Sequence, residues 1–277
     1  MGVFLQLDLA QSSTSFKGEI APENQIWNVH RGGQPSDALK PKYYYQRGLY
    51  FDGVEDGVLE RPNLVLMGAL ANGDTVNTGV LMSTYTFTIH LHFMVTELHV
   101  ADGTDKYLFN LNSWTEYIGL IVTNNGFLKF KSEGPFVETS GETVISEKTW
   151  YAISLIVSYQ NSRIRLYIGT STEFTESGDD KIPINLISNL QSYYIGSKLD
   201  SQSDGTNSHS SYFEGFMGDY VHYFGEGPTG YWTNTLNNFP TSATYKGYAL
   251  FACTVEEYID FPAGNTCVTC PSVCATD

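Results

Sequence analysis

Basic charge is what this sequence has least of. Only 15 Lys and Arg stand against 30 Asp and Glu in 277 residues, a formal net charge of -15, which leaves no cationic stripe able to neutralise a phosphate backbone or an anionic lipid surface. Nucleic acid is therefore not an expected partner, and the excess carboxylate is left to keep the chain soluble or to hold Ca²⁺. No apolar run approaches the roughly 20 residues needed to cross a bilayer, so direct membrane insertion is not expected. The opening Met1-Gly2-Val3-Phe4-Leu5-Gln6-Leu7-Asp8 is not expected to act as a signal peptide, because Asp8 interrupts a short apolar run with no basic start before it. Gln6 occupies the place where a myristoylation signal needs Ser or Thr. Asn-x-Ser/Thr sequons are missing despite abundant Asn.

Cysteine is absent until Cys253, after which Cys253, Cys267, Cys270 and Cys274 crowd into a Gly-, Pro- and Thr-rich tail. An even set in a segment too small for its own core points to disulfide staples and an oxidising compartment. A four-cysteine zinc knot is the competing reading, weakened because the last spacing is not a paired Cys-x-x-Cys array. Three disulfide pairings are open. Strong local catalytic signatures are missing too: there is no Gly-x-Ser-x-Gly elbow, no Gly-x-x-x-x-Gly-Lys-Ser/Thr loop and no His-Glu-x-x-His. Nor does Glu-x-Asp-x-x-Glu occur, the spacing that sets two catalytic carboxylates on one strand face. The expectation is a protein that is not an enzyme.

What is abundant is the material of short strands and turns: 19 Tyr, 16 Phe and 26 Gly, with aromatic residues at 14%. The clearest element is Trp150 to Gly169. Tyr151, Ile153, Leu155 and Val157 recur at period two, as do Ile164, Leu166 and Ile168, and the polar 159–162 link between them predicts a β-hairpin. Arg163, Arg165 and Tyr167 alternate with the aliphatic row on its second strand, so that face should meet solvent, a partner or a second layer. A slip of one residue would bury both arginines, which specifies the register.

The same alternation predicts strands over Val3 to Leu9, Ile26 to Val29, Tyr85 to Val95, Tyr107 to Leu111, Tyr117 to Val122, Phe127 to Lys131 and Tyr212 to Phe224. Asn124-Asn125-Gly126 is a tight-turn signal. Within Gly48 to Leu59 two short strands flank a turn made by Asp52-Gly53 and Asp56-Gly57, 170–181 reads as a polar insertion, and 197–211 as a long polar loop. The whole is an all-β sandwich: residues 1–42 form a lead-in that docks on it, 43–225 the sandwich, and 226–277 an irregular segment with the cysteine-rich, disulfide-stapled tail.

Gly48-Leu49-Tyr50-Phe51-Asp52-Gly53, Phe87-Thr88-Ile89-His90-Leu91-His92-Phe93, the 150–169 hairpin, Ile195-Gly196, and Phe213-Glu214-Gly215 leading to Asp219 occur in an order that resembles the laminin-G-like branch of the concanavalin A-like lectin/glucanase superfamily. The resemblance implies a jelly roll of two curved antiparallel sheets, usually a non-catalytic extracellular binding module. His92 stands where that family commonly has Trp, and Gly218 where an Asp often precedes Asp219, which departs from an inherited calcium site. The stretch 263–274 resembles the opening of a furin-like, growth-factor-receptor-type cysteine-rich repeat.

Candidate site residues follow, each beside its plainer reading. Arg163, Arg165 and Tyr167 form a face able to stack on and hydrogen-bond a sugar or a protein, or are an ordinary solvated strand. His90 and His92 share a strand face at a spacing that admits one metal or a ligand, or are imidazoles packed on a sheet. Asp200-Ser201-Gln202-Ser203-Asp204-Gly205 resembles half a calcium loop, with Gln202 in place of a carboxylate and Ser211 where a bidentate Glu should be. Asp52 and Asp219 are a second calcium pair that the fold has the means to unite. The function expected is extracellular or cell-surface recognition or assembly: binding a protein partner or surface glycan, with calcium-assisted carbohydrate binding or self-association in a coat or filament as alternatives.

Overall fold

The computed structural model turns that alternation into strands and turns, with no helix among the described residues. It describes residues 48–53, 86–98, 103–112, 117–133, 137–158, 163–169, 171–177, 192–203 and 206–224, together with short strands at 2–7, 28–30, 42–44, 58–62, 244–245, 248–249, 257–260 and 266–269. Two antiparallel sheets form the body. In the first, β13 (Ser171–Ser177), β12 (Arg163–Ile168), β11 (Trp150–Ser158), β6 (Thr86–Val95), β17 (Glu214–Phe224), β4 (Gly48–Asp52) and β3 (Lys42–Tyr44) lie in that order. Strand β1 (Gly2–Leu7) pairs with the distal half of β17, in line with β4. The second sheet runs β10 (Val137–Val144), β9 (Phe127–Glu133), β8 (Tyr117–Val122), β7 (Lys106–Asn112), β14 (Ser192–Ile195), β5 (Val58–Pro62) and β2 (Asn28–His30).

Side chains at period two fill the space between the sheets. Ile89, Leu91 and Phe93 from β6, Ile153, Leu155 and Val157 from β11, and Ile164 and Leu166 from β12 meet Leu108, Ile118, Leu120, Val122, Leu128 and Phe130 from the other layer, all buried. Phe213 enters from the start of β17 and sets its ring edge-on to Phe51 (6.1 Å between centroids) and Phe93 (6.3 Å), a favoured aromatic geometry. The fold is therefore an all-β jelly-roll sandwich, and the 150–169 hairpin has the expected register, Ile153 opposite Ile168 through Ser158 opposite Arg163.

Three expectations are corrected, and one strand had no sequence signal. β4 and β5 are not a hairpin: β4 pairs with β17 and β3, β5 with β14 and β2, so the intervening residues carry the chain from one sheet to the other. The 170–181 stretch holds β13, whose Phe174 is buried opposite Leu166. The 197–211 stretch is a hairpin of β15 (Lys198–Ser203) and β16 (Thr206–Ser210), with Ser203 opposite Thr206, so that only 204–205 connect the strands. β10 has an almost wholly polar sequence and carries no period-two apolar signal, because it is an edge strand with a bulge. Further along, β18 (Thr244–Tyr245) pairs with β19 (Tyr248–Ala249), and β20 (Glu257–Asp260) with β21 (Thr266–Thr269).

Two glycines of the motif set have a packing reason. Gly215 lies at φ +147 against the Met94 carbonyl of β6, and Gly48 at φ +92 against the Met217 carbonyl of β17; a Cβ at either would collide with backbone. Gly215→Ala should lower unfolding free energy by about 3 kcal/mol, strain and clash combined. Gly169→Ala, at φ +58 with open space around it, should cost only about 1 kcal/mol. Urea denaturation of the two variants would check the order, and equal losses would contradict the close-approach account.

Candidate functional site

The first sheet's outer face is built by register. Arg163, Arg165 and Tyr167 project opposite to Ile164 and Leu166, which are fully buried. On one side they meet Ser158, Ile156 and Ser154 of β11. On the other, Thr175 lies opposite Arg165 and Thr172 opposite Tyr167, both exposed. Arg163 is exposed, and Arg165 and Tyr167 are half-buried. Steps of two residues along a strand space these three groups by roughly 6.6 Å. The result is a ridge with two guanidinium forks, a phenol and two hydroxyls, and no carboxylate at the cross-strand positions. Such a set donates paired N–H bonds to carboxylates or vicinal hydroxyls and offers a ring face for stacking. Thr172 and Thr175 were hidden from sequence reasoning because 170–181 reads as an insertion; the available signal was Phe174 between polar neighbours.

His90 and His92 lie further inward on the same face. One cross-strand row runs His90, Ser154, Tyr167, Thr172, so the strand register unites His90 with the ridge at a distance of two strands. The two imidazoles are nevertheless buried, His90 at 2% and His92 at 0% exposure, away from a ligand-facing surface. His90 Nδ1 and Ser154 Oγ share a hydrogen bond of 2.6 Å. Burial, with a contribution from His92, lowers the His90 pKa well below its usual value, and burial takes His92 to about 3. Both rings are neutral at pH 7. Among the described residues there is no group of three His, Cys, Asp or Glu able to hold a metal ion.

The calcium candidates separate. Asp200 is exposed on β15, its Oδ1 3.7 Å from Lys198 Nζ, and Asp204 lies outside the described residues. Asp52 sits opposite Glu214, whereas Asp219 sits opposite His92 in register and its side chain is outside the described set. Five residue steps of β17 divide the two aspartates' backbone positions, roughly 17 Å at strand rise, and antiparallel pairing puts Glu214 opposite Asp52. Cys267 on β21 is disulfide-bonded and exposed; Cys253, Cys270 and Cys274 fall outside the described residues.

No family model and no curated protein matches this sequence. Solved structures do. A Trypanosoma rangeli sialidase in complex with 2,3-difluorosialic acid is similar over 86% of this chain and 33% of its own, at 15% identity and TM-score 0.54; this chain spans a third of that enzyme. The CBM40 of a Ruminococcus gnavus sialidase, bound to α2,3-sialyllactose, is similar over 58% of this chain and 84% of its own at 13% identity and TM-score 0.41. A heptameric SAP-like pentraxin from Limulus polyphemus covers 67% of this chain and 79% of its own at 13% identity and TM-score 0.40. At such identities the likeness to the sialidase is one of fold alone, an all-β sandwich.

The buried imidazoles generate a pH dependence. In the unfolded chain each takes a proton below about pH 6.5, while folded His92 does so only near 3. Unfolding thus takes up protons between those limits, and stability is full above pH 6.5 and falls as the pH drops. The slope is about 1.4 kcal/mol per pH unit for each imidazole. Urea unfolding at pH 7.5 and pH 5.0 should show the loss, reduced in His92→Leu; equal stability at the two pH values would refute the neutral, buried assignment.

Proposed function

We propose that this chain is a non-catalytic recognition module that binds a glycan on the β12–β13 face of its jelly roll, outside the cell or at its surface. The observation that carries this reading is the cofacial set Arg163, Arg165 and Tyr167 beside the exposed hydroxyls of Thr172 and Thr175. A sugar presents what this face complements: vicinal hydroxyls or carboxylates for the guanidinium forks, and an apolar ring face for the phenol. The lack of a paired-carboxylate strand motif favours recognition over glycosidic cleavage. The disulfide at Cys267 supports an oxidising compartment. The same Arg and Tyr residues suit a protein hot spot, which makes a protein partner, including a second copy of the chain, the outcome to be told apart from a glycan.

A glycan array probed with the full chain should give hits, and Arg163→Ala/Arg165→Ala and Tyr167→Ala should each weaken the best hit by at least about tenfold, the worth of one charge-assisted hydrogen bond or one stacked ring. Lys148→Gln, on a distant turn, should bind as the parent does. Binding should survive EDTA, because no carboxylate stands at the cross-strand positions of the ridge. An array without hits, combined with capture of a protein through the same arginines or with concentration-dependent self-association, would replace the glycan by a protein. Alkylation of the denatured, unreduced chain should leave Cys267 unmodified; a free Cys267 thiol on secreted material would remove the support for an oxidising compartment.

A further inference from the structure

The open edges of the two sheets, β13 and β10, approach one another at two matching irregularities. In β13, Phe174 faces Leu166 and Thr172 faces Tyr167, so Glu173 is an extra residue with no partner position on β12. In β10, Ser140 pairs with Lys129 and Val144 with Phe127, so that 141–143 stand against Leu128 alone and bulge away from β9. The Glu173 carboxylate spans the gap. Its Oε2 accepts the Glu142 N–H at 3.1 Å and the Thr143 N–H at 2.8 Å, and its Oε1 accepts the Thr143 hydroxyl at 2.8 Å. Glu173 is only 7% exposed. Gly141 leaves the room: a Cβ there would come within 3.0 Å of Glu173 Oε2.

We infer that the Gly141-Glu142-Thr143 bulge is a carboxylate-binding nest, occupied in cis by Glu173, and that this occupancy clasps the sandwich shut along its β10–β13 edge. Successive backbone N–H groups turned to one point make an anion-receptive concavity, and hydrogen bonds to an ionised acceptor are about twice as strong as neutral ones. Bulges are used to re-aim a side chain or end a pairing, and here one bulge supplies the donors and the facing one the acceptor. An inward-pointing charge on an edge strand also bars another chain from pairing there. The inference stands apart from the ligand reading, because it concerns contacts inside the chain.

Chemical rescue tests it. Glu173→Ala in the full chain should melt lower than the parent and exchange its Glu142 and Thr143 amide protons about tenfold faster, as expected for losing hydrogen bonds to a charged acceptor. Sodium formate should restore both properties saturably, where equal sodium chloride should not, and should leave the parent unchanged. Thr143→Val combined with Glu173→Ala should weaken the rescue. Where Glu173→Ala does not fold, Glu173→Gln serves: it should melt lower, with the same two amides exchanging faster, because a neutral amide oxygen accepts more weakly than a carboxylate. Parent-like melting and exchange in Glu173→Ala, or in Glu173→Gln if that is the variant measured, would overturn the nest, as would formate stabilising parent and Glu173→Ala alike.

Discussion

Ile89, Leu91 and Phe93 point from β6 into the core between the sheets, while Thr88, His90, His92 and Met94 on the same strand are buried on its other side. Its neighbour β11 is likewise buried on both faces, with Ile153, Leu155 and Val157 inward and Ala152, Ser154, Ile156 and Ser158 outward. A strand enclosed on two sides has no freedom of register, since a shift would exchange aliphatic residues for imidazoles and hydroxyls in the inter-sheet layer. The centre of the first sheet is thereby committed to structure. The outward row becomes exposed only on β12, one strand in from the edge.

Edges are the complementary problem, because a two-sheet sandwich leaves strands with unpaired backbone groups. This chain meets it in several ways among the described residues. β2 and β3 are three-residue strands, too short to template a second chain. β10 and β13 are broken by bulges, and one carboxylate is placed between them. At the far end of the sandwich, the Phe213 N–H donates to the Gly196 carbonyl at 2.7 Å and the Tyr107 N–H to the Ser211 carbonyl at 3.0 Å. Those bonds tie the base of the β15–β16 hairpin to both sheets.

Strands with a strong period of two were legible in advance: Thr86–Val95, Tyr117–Val122 and the 150–169 hairpin lie where the alternation puts them. The elements that went unread have weak apolar content or depend on distant partners. β10 is polar, β13 carries a single buried aromatic, and the β15–β16 hairpin is held by cross-strand pairing. The β4-to-β5 crossover was misread because an Asp-Gly step between two short strands signals a hairpin locally, and only their separate partners, β17 and β14, pull them into different sheets. Within the site, the side to which Arg163, Arg165 and Tyr167 point could be read from alternation. Their neighbours Thr172 and Thr175 could not.

The sequence by itself determined the class of fold, the apolar face of each strong strand and the row of cationic and aromatic groups on β12, because side-chain alternation is a local property of extended backbone. Only the tertiary structure decided that His90 and His92 are enclosed, that Asp52 faces Glu214 while Asp219 lies several steps away, and that Glu173 reaches across to β10. Burial and cross-strand register are set by which distant strands pair, and no residue carries that information alone.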